Sequence, residues 1–544
     1  MKQAIEDRDT KVALMDISNL ILQLYQEGKV LDKKLIDFVK RFVGKKYGLK
    51  KLPRDYEILE MLLRMAPKDM HKKIISVLRN KPVRSISGVA VVAVMTKPLP
   101  CPGKCIYCPG GVKNSQPTPQ SYTGHEPAAR RAAQLDYDPF NQVVYRLRQF
   151  ESIGHNPVKV ELIIMGGTFL FAPREYKEWF IRGIYEGLLG QRYPNKSLKK
   201  LQELLEHSKY RLVGLTVETR PDFCLERHVD EMLSYGATRV EIGVQSLDDE
   251  VLENVKRGHS VKDVIKAFRV AKDAGLKIVA HMMLNLPPAV PELDVKSFEM
   301  LFNDSDFRPD MIKIYPTAII KGTVLYKMWK QGEYTPYSED KLIEVIAKIK
   351  KMIPPWIRVQ RVQRDIPLYM VDGGYKIGNL RQIVHEYMRA RGWRCRCIRC
   401  REIGLNYLKY KIQPDDVKLI VRKYEASQGE EIFISFEDIK KDLIIGFLRL
   451  RRPSDHAHRP EISKNTMIVR ELHVYGELLP IGEKSDMSWQ HRGFGKKLLR
   501  TAERIATEEY DARKIVIISG IGVREYYRKF GYQLEGPYMS KKLR

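Results

Sequence analysis

Between residues 86 and 352, short runs rich in β-branched residues alternate with longer segments of helical periodicity. Strands are predicted over 86–95, 158–165, 212–217, 239–244, 276–283 and 311–315. Helices are predicted over 127–150, 173–189, 224–235, 261–274, 294–303 and 338–352. A strand followed by a helix is the unit of a parallel sheet, because the helix carries the chain back across the sheet. The sequence therefore predicts an α/β fold with an open or partial (β/α)6 barrel.

Three cysteines, Cys101, Cys105 and Cys108, follow the first predicted strand. Ligands of parallel sheets gather at the carboxyl ends of the strands, so the cysteines stand where chemistry is expected. Three closely spaced thiolates can hold an iron–sulfur cluster or a zinc ion. A four-iron cluster with three protein ligands leaves one iron open for a small molecule, whereas zinc needs a fourth nearby ligand. The spacing favours a 4Fe-4S cluster, with a zinc knuckle as the alternative.

This cysteine arrangement resembles that of radical S-adenosylmethionine (SAM) enzymes, in which the cluster reduces SAM to release a carbon radical. The resemblance implies that Gly166, Gly167 and Thr168, after the second strand, bind the amino group of SAM. Gln245 and Lys313, near the ends of later strands, are predicted polar contacts of SAM. A plain turn at the glycines, and structural hydrogen bonds for the other two residues, are the alternatives.

A second signature lies near the other end of the chain, in the pattern Q-x-x-G-x-G at 490–495 before a predicted helix over 496–508. Glycines let backbone N–H groups approach a ligand, and a helix start attracts anions. Strands predicted over 431–437, 443–450 and 466–474 precede this helix, and a strand over 514–518, a helix over 523–530 and a final strand follow. The order resembles a GCN5-like (GNAT) acetyltransferase domain, which holds the pyrophosphate of acetyl-CoA in this way.

The chain is strongly basic, with 95 Lys and Arg against 67 Asp and Glu and a net charge of +28. Basic pairs recur in the N-terminal region, where helices are predicted over 16–26, 32–46 and 54–65. Seven arginines lie between 381 and 401, together with Tyr387 and Trp393. Arginine beside aromatic residues suits phosphate contact and base stacking, so an RNA partner is predicted. No long apolar run and no secretory signal is found, which predicts a cytoplasmic protein without a membrane partner.

A second group of three thiols, Cys395, Cys397 and Cys400, lies in the basic segment. A structural zinc site would order this connector, and a second iron–sulfur cluster is the alternative. The predicted division is a basic helical region at 1–80 that binds RNA, a radical SAM domain at 81–390, a zinc-binding connector at 391–420 and a GNAT domain at 421–544.

Together, the motifs resemble the family of the catalytic subunit of Elongator, which modifies tRNA. The resemblance implies that the RNA bound by residues 1–80 is tRNA. The matches include Cys-Pro-Gly-Gly at 108–111, Met-Gly-Gly-Thr-Phe at 165–169, Glu-Thr-Arg-Pro-Asp at 218–222, Gly-Val-Gln-Ser at 243–246, Lys-Ile-Tyr-Pro at 313–316 and Glu-Leu-His-Val at 471–474. Two departures are the compact spacing between the first two cysteines and Leu284-Asn285, which replaces Pro-Asp. No role of that aspartate is therefore carried over to this chain.

The resemblance implies zinc at the second cysteine group and a set of acetyl-CoA contacts in and near the C-terminal domain. A tyrosine of this set, Tyr526 or Tyr527, is expected near the thioester sulfur, with Tyr527 as the predicted catalytic residue. The implied contacts are Lys159, Glu471, Leu472, His473, Val474, Gly493, Phe494, Gly495, Lys496, Tyr526 and Tyr527.

The predicted activity is the addition of a carboxymethyl group to C5 of the wobble uridine of tRNA, with acetyl-CoA as the carbon source. It requires an electron donor for the cluster, and a homodimer is possible. One alternative is a protein lysine acetyltransferase with a structural cluster, which would work without SAM or a reductant. The other is a non-catalytic tRNA-binding module, which would not need two intact cofactor motifs.

Overall fold

A computed structural model describes residues 2–49, 51–79, 88–112, 117–476 and 493–543 of the chain. The described residues form an N-terminal group of helices, a half-barrel of parallel strands, a short connector and a second sheet with its own helices. None of the described helices is long and apolar enough to cross a bilayer.

The N-terminal region contains four helices with a small core of their own. They are α1 (Lys2–Gln26), α2 (Lys33–Lys46), α3 (Asp55–Met65) and α4 (His71–Leu78). Apolar residues three and four positions apart place Ile36, Val39 and Val43 of α2 on one buried face. Asp32 caps α2 by accepting a hydrogen bond from the Leu35 backbone N–H at 2.8 Å. The fourth helix was not predicted from the sequence.

The half-barrel consists of seven parallel strands in sequential order. The strands are β1 (Ala90–Met95), β2 (Lys159–Met165), β3 (Arg211–Thr219), β4 (Arg239–Gln245), β5 (Lys277–Leu284), β6 (Met311–Pro316) and β7 (Arg358–Arg361). The helices are α5 (Pro127–Ala133), α6 (Pro139–Ser152), α7 (Arg174–Leu189), α8 (Leu198–Leu205), α9 (Glu226–Ser234), α10 (Asp249–Asn254), α11 (Val261–Asp273), α12 (Pro291–Asn303), α13 (Val324–Lys330), α14 (Glu339–Met352) and α15 (Leu380–Ala390). The predicted partial barrel is confirmed, with β7 as an additional strand.

One helix predicted in the half-barrel needs correction. The helix predicted over 127–150 is two helices, because Asp136 and Tyr137 have positive φ angles of 50° and 56° that end the first one. Pro139 then starts α6, and Asp138 caps it by accepting from the Asn141 backbone N–H at 2.8 Å. The first part of the strand predicted over 86–95 lies outside the described residues, and β1 begins at Ala90.

The second sheet follows a connector that contains α16 (Ile398–Arg401) and α17 (Ile403–Tyr410). Its elements are β8 (Val417–Ala426), β9 (Gly429–Asp438), β10 (Leu443–Arg452), β11 (Thr466–Val474), α18 (Phe494–Glu508), β12 (Lys514–Ile518), α19 (Arg524–Arg528), β13 (Gln533–Glu535) and β14 (Tyr538–Lys542). The strand order is β13-β14-β12-β11-β10-β9-β8. β8 was not predicted, and it begins inside the range that the sequence assigned to the connector.

β11 and β12 are parallel, and their pairing stops before the end of β11. Their last paired residues are Val469 and Ile517, whereas β11 stays paired with β10 as far as Val474. Among the described residues, Glu471, Leu472 and His473 therefore have no neighbouring strand on the side of β12. An extended ligand can add to such an edge through backbone hydrogen bonds.

A buried group of charged side chains joins the two sheets. Arg470 of β11 donates to Asp310, which precedes β6, at 2.9 Å, and Arg449 of β10 lies 3.6 Å from the same carboxylate. Arg451 of β10 pairs with Asp273 of α11 at 2.7 Å. The side chains of these five residues are almost completely buried. Because each charge has an opposite partner, the network is tolerated in the interior and fixes how the two sheets are placed.

Candidate functional site

One cavity connects the two halves of the molecule. It has a volume of about 760 Å³ and fills the lumen of the half-barrel as far as β11 of the second sheet. Cys101, Cys105 and Cys108 line one end of it, and Glu471 and His473 line the other. The predicted cluster site and the predicted acetyl-CoA strand therefore share one lumen.

The three cysteines at the first end each have a polar neighbour. Gln120 Nε2 donates to Cys108 Sγ at 2.9 Å, and Arg257 Nη1 donates to Cys105 Sγ at 3.4 Å. The guanidinium of Arg257 is buried and offsets the negative charge of a thiolate ligand. Three thiols that face one cavity beside a buried cation fit the ligand set of an iron–sulfur cluster.

The predicted SAM-binding turn follows β2 and has a backbone that requires glycine. Gly166 and Gly167 have φ angles of 130° and 95°. A Cβ on Gly166 would lie 2.0 Å from Thr96 Oγ1, so no larger residue fits there. Thr168 and Gln245 line the same end of the lumen. The structure thus brings the cysteines and these predicted SAM contacts together.

Halfway along the lumen, three polar side chains form a layer across neighbouring strands, here called the mid-lumen layer: Glu241 of β4, His281 of β5 and Lys313 of β6. His281 Nε2 lies 2.8 Å from Glu241 Oε2, and the Lys313 ammonium pairs with the same oxygen. Burial alone would raise the pKa of Glu241, but Lys313 and His281 hold it below its usual value. Lys313, which the sequence predicts to contact SAM, therefore forms a buried ion pair with Glu241.

Glu218, at the end of β3, is a lumen residue that the sequence analysis did not single out as a site residue. Tyr122 Oη donates to both of its carboxylate oxygens, at 3.0 and 3.1 Å. Burial raises the pKa of Glu218 to about 7, against the opposing effect of Lys313. A carboxyl group near neutral pKa beside the cluster cysteines is a candidate ligand contact. The sequence signal for Glu218 is the Glu-Thr-Arg-Pro-Asp motif at 218–222.

At the far end of the lumen, β11 presents alternate side chains to two environments. Glu471 and His473 face the lumen, whereas Leu472 and Val474 pack against the core of the second sheet. Burial lowers the pKa of His473 to about 4, and the charge of Lys159 contributes to this effect. Lys159, a predicted acetyl-CoA contact, lies at the start of β2.

The glycine turn before α18 is only partly described, because residues 490–492 lie outside the described residues. Gly493 has a φ of 79° and starts the helix, with Phe494 and Lys496 in its first turn. A Cβ on Gly495 would lie 2.9 Å from Tyr526 Oη. Tyr527 is instead buried in the core of the second sheet. The structure places Tyr526 beside the glycine turn, rather than the predicted catalytic Tyr527.

The second cysteine group is compact. The sulfur atoms of Cys395, Cys397 and Cys400 lie within 4.8 Å of one another, and those of Cys397 and Cys400 are 3.5 Å apart. His385 of α15 brings its Nε2 to 3.9 Å from Cys400 Sγ. Three thiol donors thus converge with an imidazole nitrogen next to one of them, a donor set that suits a single tetrahedral metal ion. The histidine was not predicted, since it is distant in sequence from the cysteine motif.

The exposed face of α2 is basic and aromatic. Lys34, Arg41 and Lys45 are exposed, and Phe38 and Phe42 between them are each 58% exposed. The two rings stack with their centroids 6.2 Å apart. Exposed aromatic rings between cations suit contacts with nucleobases and phosphates.

Comparisons with known proteins cover nearly the whole chain. Residues 10–86 match the ELP3 N-terminal domain, 100–297 the Radical SAM superfamily, 309–390 the Radical_SAM C-terminal domain, and 405–532 the Acetyltransferase (GNAT) family. The chain is 50% identical over 529 residues to "tRNA uridine(34) acetyltransferase" of Methanocaldococcus infernus, covering 96% of this chain and 98% of that protein. It is 44% identical over 536 residues to human "Elongator complex protein 3", covering 97% and 96% of the two chains.

A solved structure agrees with these relatives. The archaeal Methanocaldococcus infernus Elp3 with an N-terminal deletion (1-46) superposes with a TM-score of 0.75 at 46% identity, covering 84% of this chain and all of that one. The half-barrel is thus a radical SAM fold, which implies SAM and a 4Fe-4S cluster, and the second sheet is a GNAT domain, which implies acetyl-CoA. The chain belongs to the Elongator complex protein 3 family, which includes the archaeal tRNA uridine(34) acetyltransferases.

Proposed function

We propose that this protein attaches a carboxymethyl group to C5 of the wobble uridine of tRNA, with acetyl-CoA as the carbon source. The names of the archaeal relatives support a tRNA uridine as the substrate. The observation that carries the proposal is the single lumen between the cluster cysteines and β11. A protein with two independent activities would have no need to join these sites through one cavity.

When bound, the cluster and SAM supply a carbon radical that can take hydrogen from the methyl group of acetyl-CoA. The methyl carbon then joins C5 of the uridine, an electron and a proton are lost, and hydrolysis of the thioester leaves the carboxymethyl group. The electron needs an external acceptor, and the cluster needs an external electron donor.

The residues of this chain bind and orient the reactants. The backbone at Gly166 and Gly167, with Gln245, holds the SAM end. The edge of β11 at Glu471–His473 pairs with the amides of the pantetheine arm, because no described strand lies beside these residues on the side of β12. Tyr526 lies at the glycine turn, where its hydroxyl can contact the bound coenzyme.

The second cysteine group is proposed to hold one zinc ion, with Cys395, Cys397, Cys400 and His385 as ligands. In a tetrahedral site with zinc–sulfur bonds of about 2.3 Å, sulfur atoms stand about 3.8 Å apart. The observed 3.5 Å between two of the sulfurs is close to this value. A zinc ion here would hold the connector between the two sheets in place.

The exposed face of α2 and the arginine-rich segment 381–401 are proposed to bind tRNA. Lys34, Arg41 and Lys45 of α2 supply charge for the phosphates, and Phe38 and Phe42 supply rings for unpaired bases.

An anaerobic assay tests the proposal. The reconstituted full-length protein is incubated with tRNA, SAM, a reductant and acetyl-CoA labelled in the methyl carbon, and the nucleosides are analysed by mass spectrometry. We expect labelled 5-carboxymethyluridine, and none when SAM or the reductant is omitted. Acetylated protein lysine in the absence of both would instead support the acetyltransferase alternative.

Two variants locate the two halves of the reaction. Replacement of Cys101, Cys105 and Cys108 by Ala should remove the iron absorbance and the product. Gly495→Glu adds bulk and negative charge at the glycine turn, so acetyl-CoA binding and the product should be lost while the cluster still forms. Normal product formation by the Gly495 variant would show that acetyl-CoA is not the carbon source.

A further inference from the structure

The mid-lumen layer lies in the lumen between the cluster cysteines and β11, so a group that moves from β11 to the cysteines passes it. On β4 the layer lies between Arg239, nearer the strand start, and Gln245, nearer the cluster end. On β6 it lies between Met311 and Tyr315 in the same order, and on β5 Met283 follows it toward the cluster end. In the proposed function, acetyl-CoA enters from β11 and its methyl carbon reacts at the cluster end. The thioester group of a reacting molecule therefore lies beside Glu241, His281 and Lys313.

Glu241 and His281 have the geometry of a carboxylate that orients a histidine base. The Glu241 side chain is fully buried, and its Oε2 accepts from His281 Nε2 at 2.8 Å. A carboxylate on one ring nitrogen fixes the proton there and leaves the other nitrogen with a lone pair. His281 Nδ1 makes no hydrogen bond with any residue that the structure describes, and the side chain is 14% exposed, toward the lumen.

The electrostatics keep this base unprotonated. Burial, followed by the nearby Lys313 ammonium, lowers the pKa of His281 to about 4. At neutral pH the imidazole is therefore neutral. Lys313 also pairs with Glu241, which keeps the carboxylate ionised in the interior. Among the described titratable groups nearby, Arg364 opposes protonation of His281 as well.

We propose that His281 is the general base that activates water for hydrolysis of the thioester after the acetyl carbon has joined the uridine, with Glu241 as its positioning residue. The inference rests on the proposed function and adds the residue that performs its last step. The water oxygen bonds to the carbonyl carbon, and the carbon–sulfur bond breaks. One water proton passes through His281 to the leaving sulfur, and the other is released when the new carboxyl group ionises.

The test uses His281→Asn in the full-length reconstituted protein. General-base catalysis contributes about 10²–10⁴-fold, so the rate of free carboxymethyluridine formation should fall at least about 100-fold. The tRNA should instead accumulate coenzyme A attached through a thioester at the uridine, which mass spectrometry detects and hydroxylamine converts to a hydroxamate. A single turnover should still yield 5′-deoxyadenosine at the wild-type level.

Controls separate this role from a loss of structure. His207→Asn, at an exposed histidine outside the lumen, should behave as wild type. Acetyl-CoA binding to the cluster-free His281→Asn protein, measured by calorimetry, should stay within about twofold of wild type. Glu241→Gln, which removes the charge that orients the ring, should accumulate the same adduct to a smaller extent.

Three results would overturn the inference. The first is a rate of free carboxymethyluridine formation by His281→Asn that stays within twofold of the wild-type rate. The second is loss of 5′-deoxyadenosine together with the product, which would place His281 in an earlier step. The third is accumulation of the adduct in His473→Asn and not in His281→Asn. If the wild-type protein itself forms no carboxymethyluridine, the proposed function fails instead.

Discussion

The buried charges between the two sheets allow a quantitative prediction. In Asp310→Asn the side chain keeps its shape but loses its charge, and Arg470 and Arg449 lose their shared carboxylate partner. All three side chains are fully buried. Breaking a buried ion pair by removal of one partner costs about 3–5 kcal/mol, because the remaining charge stays desolvated. With a urea m value of about 3 kcal/mol/M, the unfolding midpoint should fall by about 1–1.7 M.

Urea titration followed by tryptophan fluorescence measures this effect. Trp356 reports on the joint between the sheets, since its ring stacks on Tyr424 of β8 at 4.4 Å between centroids. The matched control is Asp416→Asn, whose partner Lys418 is 3.2 Å away at the surface, and it should change stability by less than about 1 kcal/mol. A loss below about 1 kcal/mol in Asp310→Asn would refute the reasoning.

The same variant has an expected pH dependence. Burial alone would raise the pKa of Asp310, but Arg470 and Arg449 hold it far below its usual value. A lowered carboxyl pKa contributes stability that is present above the unfolded value of about 4 and is lost only as the pH falls below it. The difference between wild type and Asp310→Asn should therefore be constant from pH 5 to pH 8. A difference that disappears at pH 6 would contradict the assignment.

Three further predictions concern the other sites. Metal analysis of protein purified without reconstitution should give one zinc per chain, and His385→Ala should contain much less. If iron absorbance is retained when Cys101, Cys105 and Cys108 are all Ala, the second cysteine group holds a second cluster instead. Replacement of Lys34, Arg41 and Lys45 by Ala should lower the slope of log tRNA affinity against log salt by up to about 2.7, or about 0.9 per lost phosphate contact, and an unchanged slope would exclude this face of α2. Lys159→Met should weaken acetyl-CoA binding in calorimetry while the cluster forms normally, and unchanged affinity would remove Lys159 from the site.

The sequence predicts the parts of the fold that depend on local pattern. Six parallel strands were predicted because each is a run of β-branched residues before a helix. β7 was not predicted, because Arg358–Arg361 contains a single apolar residue, Val359. This segment is a strand because it pairs with β6. The break within 127–150 was also missed, because the helical periodicity continues on both sides of the positive-φ pair at Asp136 and Tyr137.

The candidate site also combines features that can be predicted from local sequence with features that cannot. Motifs within a few residues of one another, such as the three cluster cysteines, can be found from spacing. The pairing of Lys313 with Glu241, and the approach of His385 to Cys400, bring together residues that are distant in sequence. The sequence contains a signal for the first, a charged residue within an apolar strand, but it does not name the partner. The choice between Tyr526 and Tyr527 likewise depends on which side of α19 faces the glycine turn.

The ion pairs of Arg470 and Arg451 with the half-barrel have a consequence for how the reaction is organised. A joint of fully paired, desolvated charges resists hinge motion, because any rotation would expose or separate several of them together. The distance between the GNAT sheet and the cluster end is then fixed by the protein. In the proposed reaction, the moving part is then the flexible pantetheine tether of acetyl-CoA, which would carry the acetyl group along the lumen as a swinging arm while the enzyme around it stays still.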